Sequence, residues 1–330
     1  MKKGLFLIWF AGAALLLVLI AQQGFSQVIA ALAVAGLGML GVTAYHLVPM
    51  LVDTLAWQVL LPGRYHLPLF DLLWMRWLAE SVNNLLPVAQ VGGEFLKARL
   101  LMLRQVSGSI AGASAVVDLT TTVIAQVIFA ASGVLLLAQR RNAEQATLEF
   151  LVGIGVFGVL ILGFYLAQRA GLFFLLARVL ERLVGNRDWF SLSGNGLALD
   201  RAVGELYRRQ RVFWLACLLH LLAWVLGAGE VWLALYALGH PSTLADAFIL
   251  ESLIMAVRAA AFTVPGALGV QEGGFMVIAP LVGLQPETGL ALSLVKRVRE
   301  LLLGIPGLAA WHVVETRSAW RRRVSPNSQA

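Results

Sequence analysis

Two acidic residues stand where apolar sequence is broken by glycine: Glu94 follows Gly92-Gly93, and Glu272 precedes Gly273-Gly274. Each lies within a longer break, Pro87-Val-Ala-Gln-Val-Gly-Gly-Glu-Phe95 and Pro265-Gly-Ala-Leu-Gly-Val-Gln-Glu-Gly-Gly-Phe275, the second also carrying Gly266 and Gly269. Proline removes a backbone donor and glycine weakens a helix. Inside a bilayer such breaks persist only where protein or a water-filled cavity satisfies the freed polar groups. A pair of them points to a substrate pathway.

Ionisable groups at membrane depth are costly unless paired or hydrated, which makes them the first candidates for function. Here they are Glu80, Glu94, Lys97, Arg99, Asp118, Glu230, Glu251, Arg258, Glu272, Lys296, Arg297, Arg299 and Glu300. Glu94 opens a helical stretch, where it either caps the N-terminus or leaves the dipole end free for an anionic substrate group. Lys97 is placed for an (i, i+3) pair with it. Glu272 has a path or gating role. Arg258 offers a bidentate fork to a phosphate or carboxylate headgroup, with an internal salt bridge to Glu251 or Glu272 as the alternative. Lys296 to Glu300 either snorkel to an interface or face a cavity. Asp118 with Thr120, Thr121 and Thr122 suits interhelical hydrogen bonding.

The elements that position these residues follow from composition. The chain is 59% hydrophobic and 13% charged with a mean hydropathy of +0.81, against roughly 25% charged residues in soluble domains. It reads as an all-α polytopic membrane protein. The net charge of +7 comes from residues between and beyond apolar spans, not from a stripe interleaved with aromatics, so nucleic acid is excluded as a partner and anionic lipid headgroups are favoured. A single cysteine, Cys217, leaves no disulfide or CxxC site and packs in a core. There is no HExxH, no His/Cys ligand set and no GxSxG elbow, so neither a metal, a cofactor nor catalytic residues are expected. His46 and His66 read as interfacial.

Six apolar runs are long enough to span: Leu5 to Ala21, Val28 to Val48, Ile110 to Ala138, Leu148 to Ala167, Val212 to Leu238 and Leu290 to Val313. The first also fits a signal peptide but lacks a clean cleavage site, and is expected to be retained. Two more regions, 69–103 and 244–284, hold the breaks near their middles and read as re-entrant hairpins. With one hairpin opening to each side, the basic clusters fall on the cytoplasmic side, apart from Arg140 and Arg141, and both termini are cytoplasmic. That arrangement is an inverted repeat: a first half 1–168, a basic connection 169–211, a second half 212–316 and a basic tail 317–330. Within the connection, Gly171 to Gly185 suits an interfacial helix. Glu80 and Arg258 each precede their motif proline by seven residues.

Asn83-Asn84-Leu-Leu-Pro87, Gly92-Gly93-Glu94 with Arg99, the basic middle, and Pro265 to Phe275 followed by Arg297 resemble the flippase-like transmembrane family. That family includes the membrane half of lysylphosphatidylglycerol synthases. The second motif is most similar to its branch of membrane proteins associated with hopanoid biosynthesis. The resemblance implies movement of a lipid between leaflets of the bacterial inner membrane, with Glu94, Arg99, Glu272 and Arg297 lining or gating the path. Family members often carry a Glu-Arg pair ahead of the aspartate matching Asp118; Val116-Val117 stand there. The synthases' soluble transfer domain is missing too, so a lipid translocase and not an enzyme is expected. A small-solute or ion-coupled transporter and a non-transporting scaffold for lipid-synthesis enzymes are the competing readings.

Overall fold

The computed structural model describes residues 38–65, 67–86, 92–139, 192–261 and 264–324, with isolated positions besides. The expected span Leu5 to Ala21, nearly all of Leu148 to Ala167, the segment Gly171 to Gly185, Pro87 and the tail beyond Val324 lie outside the described residues. Among the described residues every regular element is a helix.

The second expected span runs further than its apolar run. Helices α1 (Gly38–Tyr45) and α2 (Leu47–Leu60) form one nearly continuous rod, interrupted at His46. Pro49 explains the interruption, since its missing N–H leaves the Tyr45 carbonyl without an intrahelical donor. The rod continues past Val48 through Asp53, a charge that the apolar run excludes but the fold pairs. Helix α5 (Gly108–Ala138) and helix α7 (Gln210–Ala237) are the other two described helices long and apolar enough to cross a membrane. The outer face of α7 carries Leu215, Leu218, Leu222 and Val225, exposed at helical spacing. A stripe of that kind is stable against lipid and not against water.

Each break folds its region into a helical hairpin. In the first, α3 (Leu69–Leu85) and α4 (Gly92–Leu103) lie side by side. Arg104 Nη1 meets Asp71 Oδ2 at 2.9 Å at the open end. At the tip, the Gly93 N–H donates to Asn83 Oδ1 at 2.7 Å, and a Cβ on Gly93 would sit 2.4 Å from the Ala79 carbonyl. In the second, α8 (Leu244–Ala260) starts with a capping box between Thr243 and Asp246. The chain then passes a 3-10 turn, Pro265–Ala267, into α9 (Val270–Ile278), which packs back on α8. Gly266 (φ 58°) and Gly269 (φ 75°) sit in backbone conformations that glycine alone adopts freely.

Helix α10 (Pro286–Val324) packs against α3 and α9, and α6 (Leu192–Arg208) against α5. Gly304 and Gly307 let α10 approach Leu85 and Ser81. Pro306 interrupts its ladder, and Trp77 Nε1 donates to the nearby Leu303 carbonyl at 3.0 Å. Cys217 is buried with Phe213, Ala216 and Leu60, a packing role.

Candidate functional site

The end of α3 meets the second break. A Cβ on Gly266 would lie 2.8 Å from the Asn84 carbonyl and 3.4 Å from Arg297 Nη1, which joins the end of α3 to the second break and to α10. Beside this junction is a narrow cleft of about 10 Å³, room for about one water, lined by Trp77, Glu80, Asn84, Arg299, Glu300 and Gly304 among others.

Around the junction lies the larger of two ionic clusters. Glu272, fully buried, accepts from Arg297 Nε at 2.8 Å, and Arg297 Nη1 reaches Glu300 at 2.7 Å. Arg258 donates to Glu300 at 3.0 Å and also to Gln271, which in turn donates to Ser293 Oγ at 3.1 Å. Its carboxylate partner is therefore Glu300, neither Glu251 nor Glu272. Glu251 takes Lys296, 2.5 Å away. Lys296 is 2% exposed, so it does not snorkel. Arg299 Nε stands 3.2 Å from Glu230 Oε1. His46 completes the group, with Nδ1 2.7 Å from Glu230 and Nε2 2.8 Å from Glu80. It is largely buried between two carboxylates.

The smaller cluster centres on Asp118. Its carboxylate meets Arg76 at 2.9 Å, Lys97 at 2.6 Å and His220 Nε2 at 3.1 Å. Lys97 also holds Glu94 at 2.6 Å, the expected (i, i+3) pair, and His220 Nδ1 reaches Asp53 at 2.6 Å. Trp57 supplies one wall, with Lys97 Nζ 5.2 Å and Arg76 Cζ 5.9 Å from its ring. Thr120 and Thr121 donate back to carbonyls of α5, while Thr120 also accepts from Tyr207 Oη of α6 at 3.4 Å and Thr122 Oγ1 lies 3.1 Å from His220 Nε2 of α7, the expected interhelical contacts.

Of the residues singled out by sequence, Arg258, Glu272 and Arg297 come together, with Gly266 beside them. Glu94 joins the Asp118 cluster. Arg99 stands apart: 38% exposed, it pairs with Glu315 on α10. Sequence reasoning passed over Asp53 and Arg76, whose signal was a lone charge in apolar surroundings, and gave Asp118 too small a part. No group of metal-ligating side chains occurs among the described residues.

Not every buried polar atom is satisfied. Glu272 Oε2 and Arg297 Nη2 have no hydrogen-bond partner, and they flank the meeting point of α3 and the second break.

Helical spans with lipid-facing stripes around buried ionic clusters define a polytopic membrane protein with a polar interior. The chain belongs to the family described as lysylphosphatidylglycerol synthase TM region, whose profile matches residues 4–307. Membership relates it to lipid metabolism. No curated protein and no solved structure matches the chain.

Proposed function

We propose that the protein is a lipid translocase of the bacterial inner membrane, with six spans, two re-entrant hairpins entering from opposite faces, and both termini cytoplasmic. The observation that carries this reading is the junction of α3 with the second break, where Gly266 abuts the Asn84 carbonyl beside the unpartnered Glu272 Oε2 and Arg297 Nη2. A headgroup passing there finds a cation, a carboxylate and bare backbone, while its hydrocarbon stays in lipid. That removes the large cost of drawing a polar group through the bilayer core alone. A hopanoid, an anionic lipid or a glycolipid is the cargo, in keeping with the hopanoid-associated branch. The exposed turn Arg208, Arg209 and Arg211 rests against anionic headgroups. The chain itself catalyses no covalent step on this reading, and lipid-synthesis enzymes are its natural neighbours.

Reconstitution tests the reading. Vesicles carrying a fluorescent-labelled phosphatidylglycerol or a labelled glycolipid should show faster exchange between leaflets with the wild-type chain, and Glu272→Ala should abolish the gain. Wild type and Glu272→Ala giving the same rate as empty vesicles for every lipid would sink it.

A further inference from the structure

His46 and His220 occupy the same kind of place, one in each cluster. Each imidazole has carboxylate oxygens at both ring nitrogens: Glu230 and Glu80 for His46, Asp53 and Asp118 for His220. A neutral imidazole carries a single N–H, so only the imidazolium donates to both. Charge counting agrees. Among the described residues, Asp53, Glu94 and Asp118 face only two fixed cations, Arg76 and Lys97. Likewise Glu80, Glu230, Glu251, Glu272 and Glu300 face four, Arg258, Lys296, Arg297 and Arg299. Each cluster lacks one positive charge, and its histidine supplies it.

The two sites also mirror one another across a single pair of helices. In one, α2 gives the histidine and α7 the acid, His46 with Glu230; in the other, α2 gives the acid and α7 the histidine, Asp53 with His220. In both, one carboxylate is sealed and the other reaches outward. Glu230 and Asp118 have side chains 4% and 1% exposed, whereas Glu80 and Asp53 are 31% and 29% exposed. In both, a second donor stands by the ring. Arg299 Nη1 lies 2.9 Å from His46 Nε2 and closer still to Nδ1, and Thr122 Oγ1 lies 3.1 Å from His220 Nε2.

We propose that His46 and His220 are a matched pair of proton-binding sites that tie the packing of α2 on α7 to protonation, and so couple the translocation cycle to protons. The imidazolium of each site bridges α2 and α7 and holds them in the arrangement seen here. On release, a ring N–H bond breaks, the proton passes to the outward carboxylate, Glu80 or Asp53, and from there to water. The neutral ring keeps one N–H, directed at the sealed carboxylate, Glu230 or Asp118. At His220 release breaks the bridge to Asp53 that joins α7 to α2; at His46 it breaks the bridge to Glu80 of α3 and turns the ion pair with Glu230 into a neutral hydrogen bond, so that α7 is held less tightly at both sites. This deepens the translocase reading and rests on it for what the loosening accomplishes.

The sites are tested without any labelled lipid. The chain holds five histidines, so the full-length variant His66→Gln/His240→Gln/His312→Gln retains only the two in question. In nanodiscs of phosphatidylethanolamine and phosphatidylglycerol, its nitrogen NMR spectrum should show two imidazolium rings at pH 8, above the ordinary imidazole value of about 6.5. Spin labels at Leu51→Cys and Leu222→Cys, in a Cys217→Ser background, should report a change in the α2–α7 distance distribution once those rings deprotonate at higher pH. Adding His46→Gln or His220→Gln should weaken that pH response. Neutral rings at pH 8, or an α2–α7 distance indifferent to pH in the chain with both histidines, overturns the proposal. Failure of the leaflet assay with both signatures present removes the lipid reading alone and leaves the proton sites standing.

Discussion

The two ionic clusters differ in how they are built and in how completely they are satisfied. The Asp118 cluster is a hub: one buried carboxylate serves Arg76, Lys97 and His220, brought by three other helices. The hairpin-junction cluster is a row: α10 alone contributes Lys296, Arg297, Arg299 and Glu300, and their ion-pair partners come from α7, α8 and α9. Both leave a buried arginine nitrogen and a buried carboxylate oxygen without a hydrogen bond, Arg76 Nε and Glu94 Oε2 in the hub and Arg297 Nη2 and Glu272 Oε2 in the row, but Glu94 Oε2 still has Lys97 Nζ 2.6 Å away. The hub looks designed to hold helices together, and the row to hold them while leaving room for a visitor.

The sharpest way to break that distinction is to remove the hub. Asp118→Ala strands Arg76 and takes one of two carboxylates from Lys97 and from His220, and breaking buried pairs of this kind costs about 3–5 kcal/mol. Thermal unfolding in detergent should show a large loss of stability, with little folded protein recovered. A normally stable Asp118→Ala chain would mean that the hub is hydrated and equivalent to the row. Glu272→Gln should behave in the opposite sense. It keeps one acceptor for Arg297 Nε and can donate from its amide, so the folded yield should stay near wild type while leaflet exchange falls by about tenfold, or ~1.4 kcal/mol of lost barrier lowering. Loss of fold without a selective loss of exchange would show that the row is structural too.

How far the sequence exposes each cluster follows from the same contrast. The hairpins and Glu94, Glu272, Arg258 and Arg297 are legible because proline and glycine punctuate apolar sequence and a charge beside them stands out. The hub is not legible, since its members are separated by long stretches of chain: His220 meets Asp118 across 102 positions and Asp53 across 167. Periodicity carries no information at that range. Asp53 even misleads, because an isolated aspartate ends an apolar run on paper while in the fold it is paired and the helix runs on. Helix α10 stays ambiguous on paper for a related reason. Its charges oppose the positive-inside trend, and snorkelling accounts for such charges as well as a cavity does unless carboxylates from three other helices are known to meet them.

The junction itself can be separated from ordinary glycine strain. Gly266→Ala places a side chain at φ 58° and drives its Cβ against the Asn84 carbonyl. Gly239→Ala suffers a similar backbone conformation, φ 76°, with nothing within 4 Å of the new carbon. The left-handed conformation costs roughly 1–2 kcal/mol in both. Gly266→Ala should therefore lose more stability in thermal unfolding than Gly239→Ala, and it should also slow leaflet exchange, because the excess measures the meeting of α3 with the second break. Equal losses would show that the two do not touch in the working protein.

The smallest effect is expected at Arg99, the residue on which the family resemblance and the geometry part company. Resemblance places it on the path beside Glu94; the fold places it at the far end of α4, more than a third exposed, against Glu315. Exposed pairs contribute about 0–1 kcal/mol because two long side chains lose freedom for an interaction that water screens. Arg99→Ala should accordingly change thermal stability little and leave leaflet exchange near wild type. Lys97→Met, two residues away on the opposite side of the helix, should damage stability severely, since it removes a buried partner of both Asp118 and Glu94. If Arg99→Ala instead halts exchange with stability intact, the path runs along the outer face of the first hairpin, and the row at the junction is its gate and not its floor.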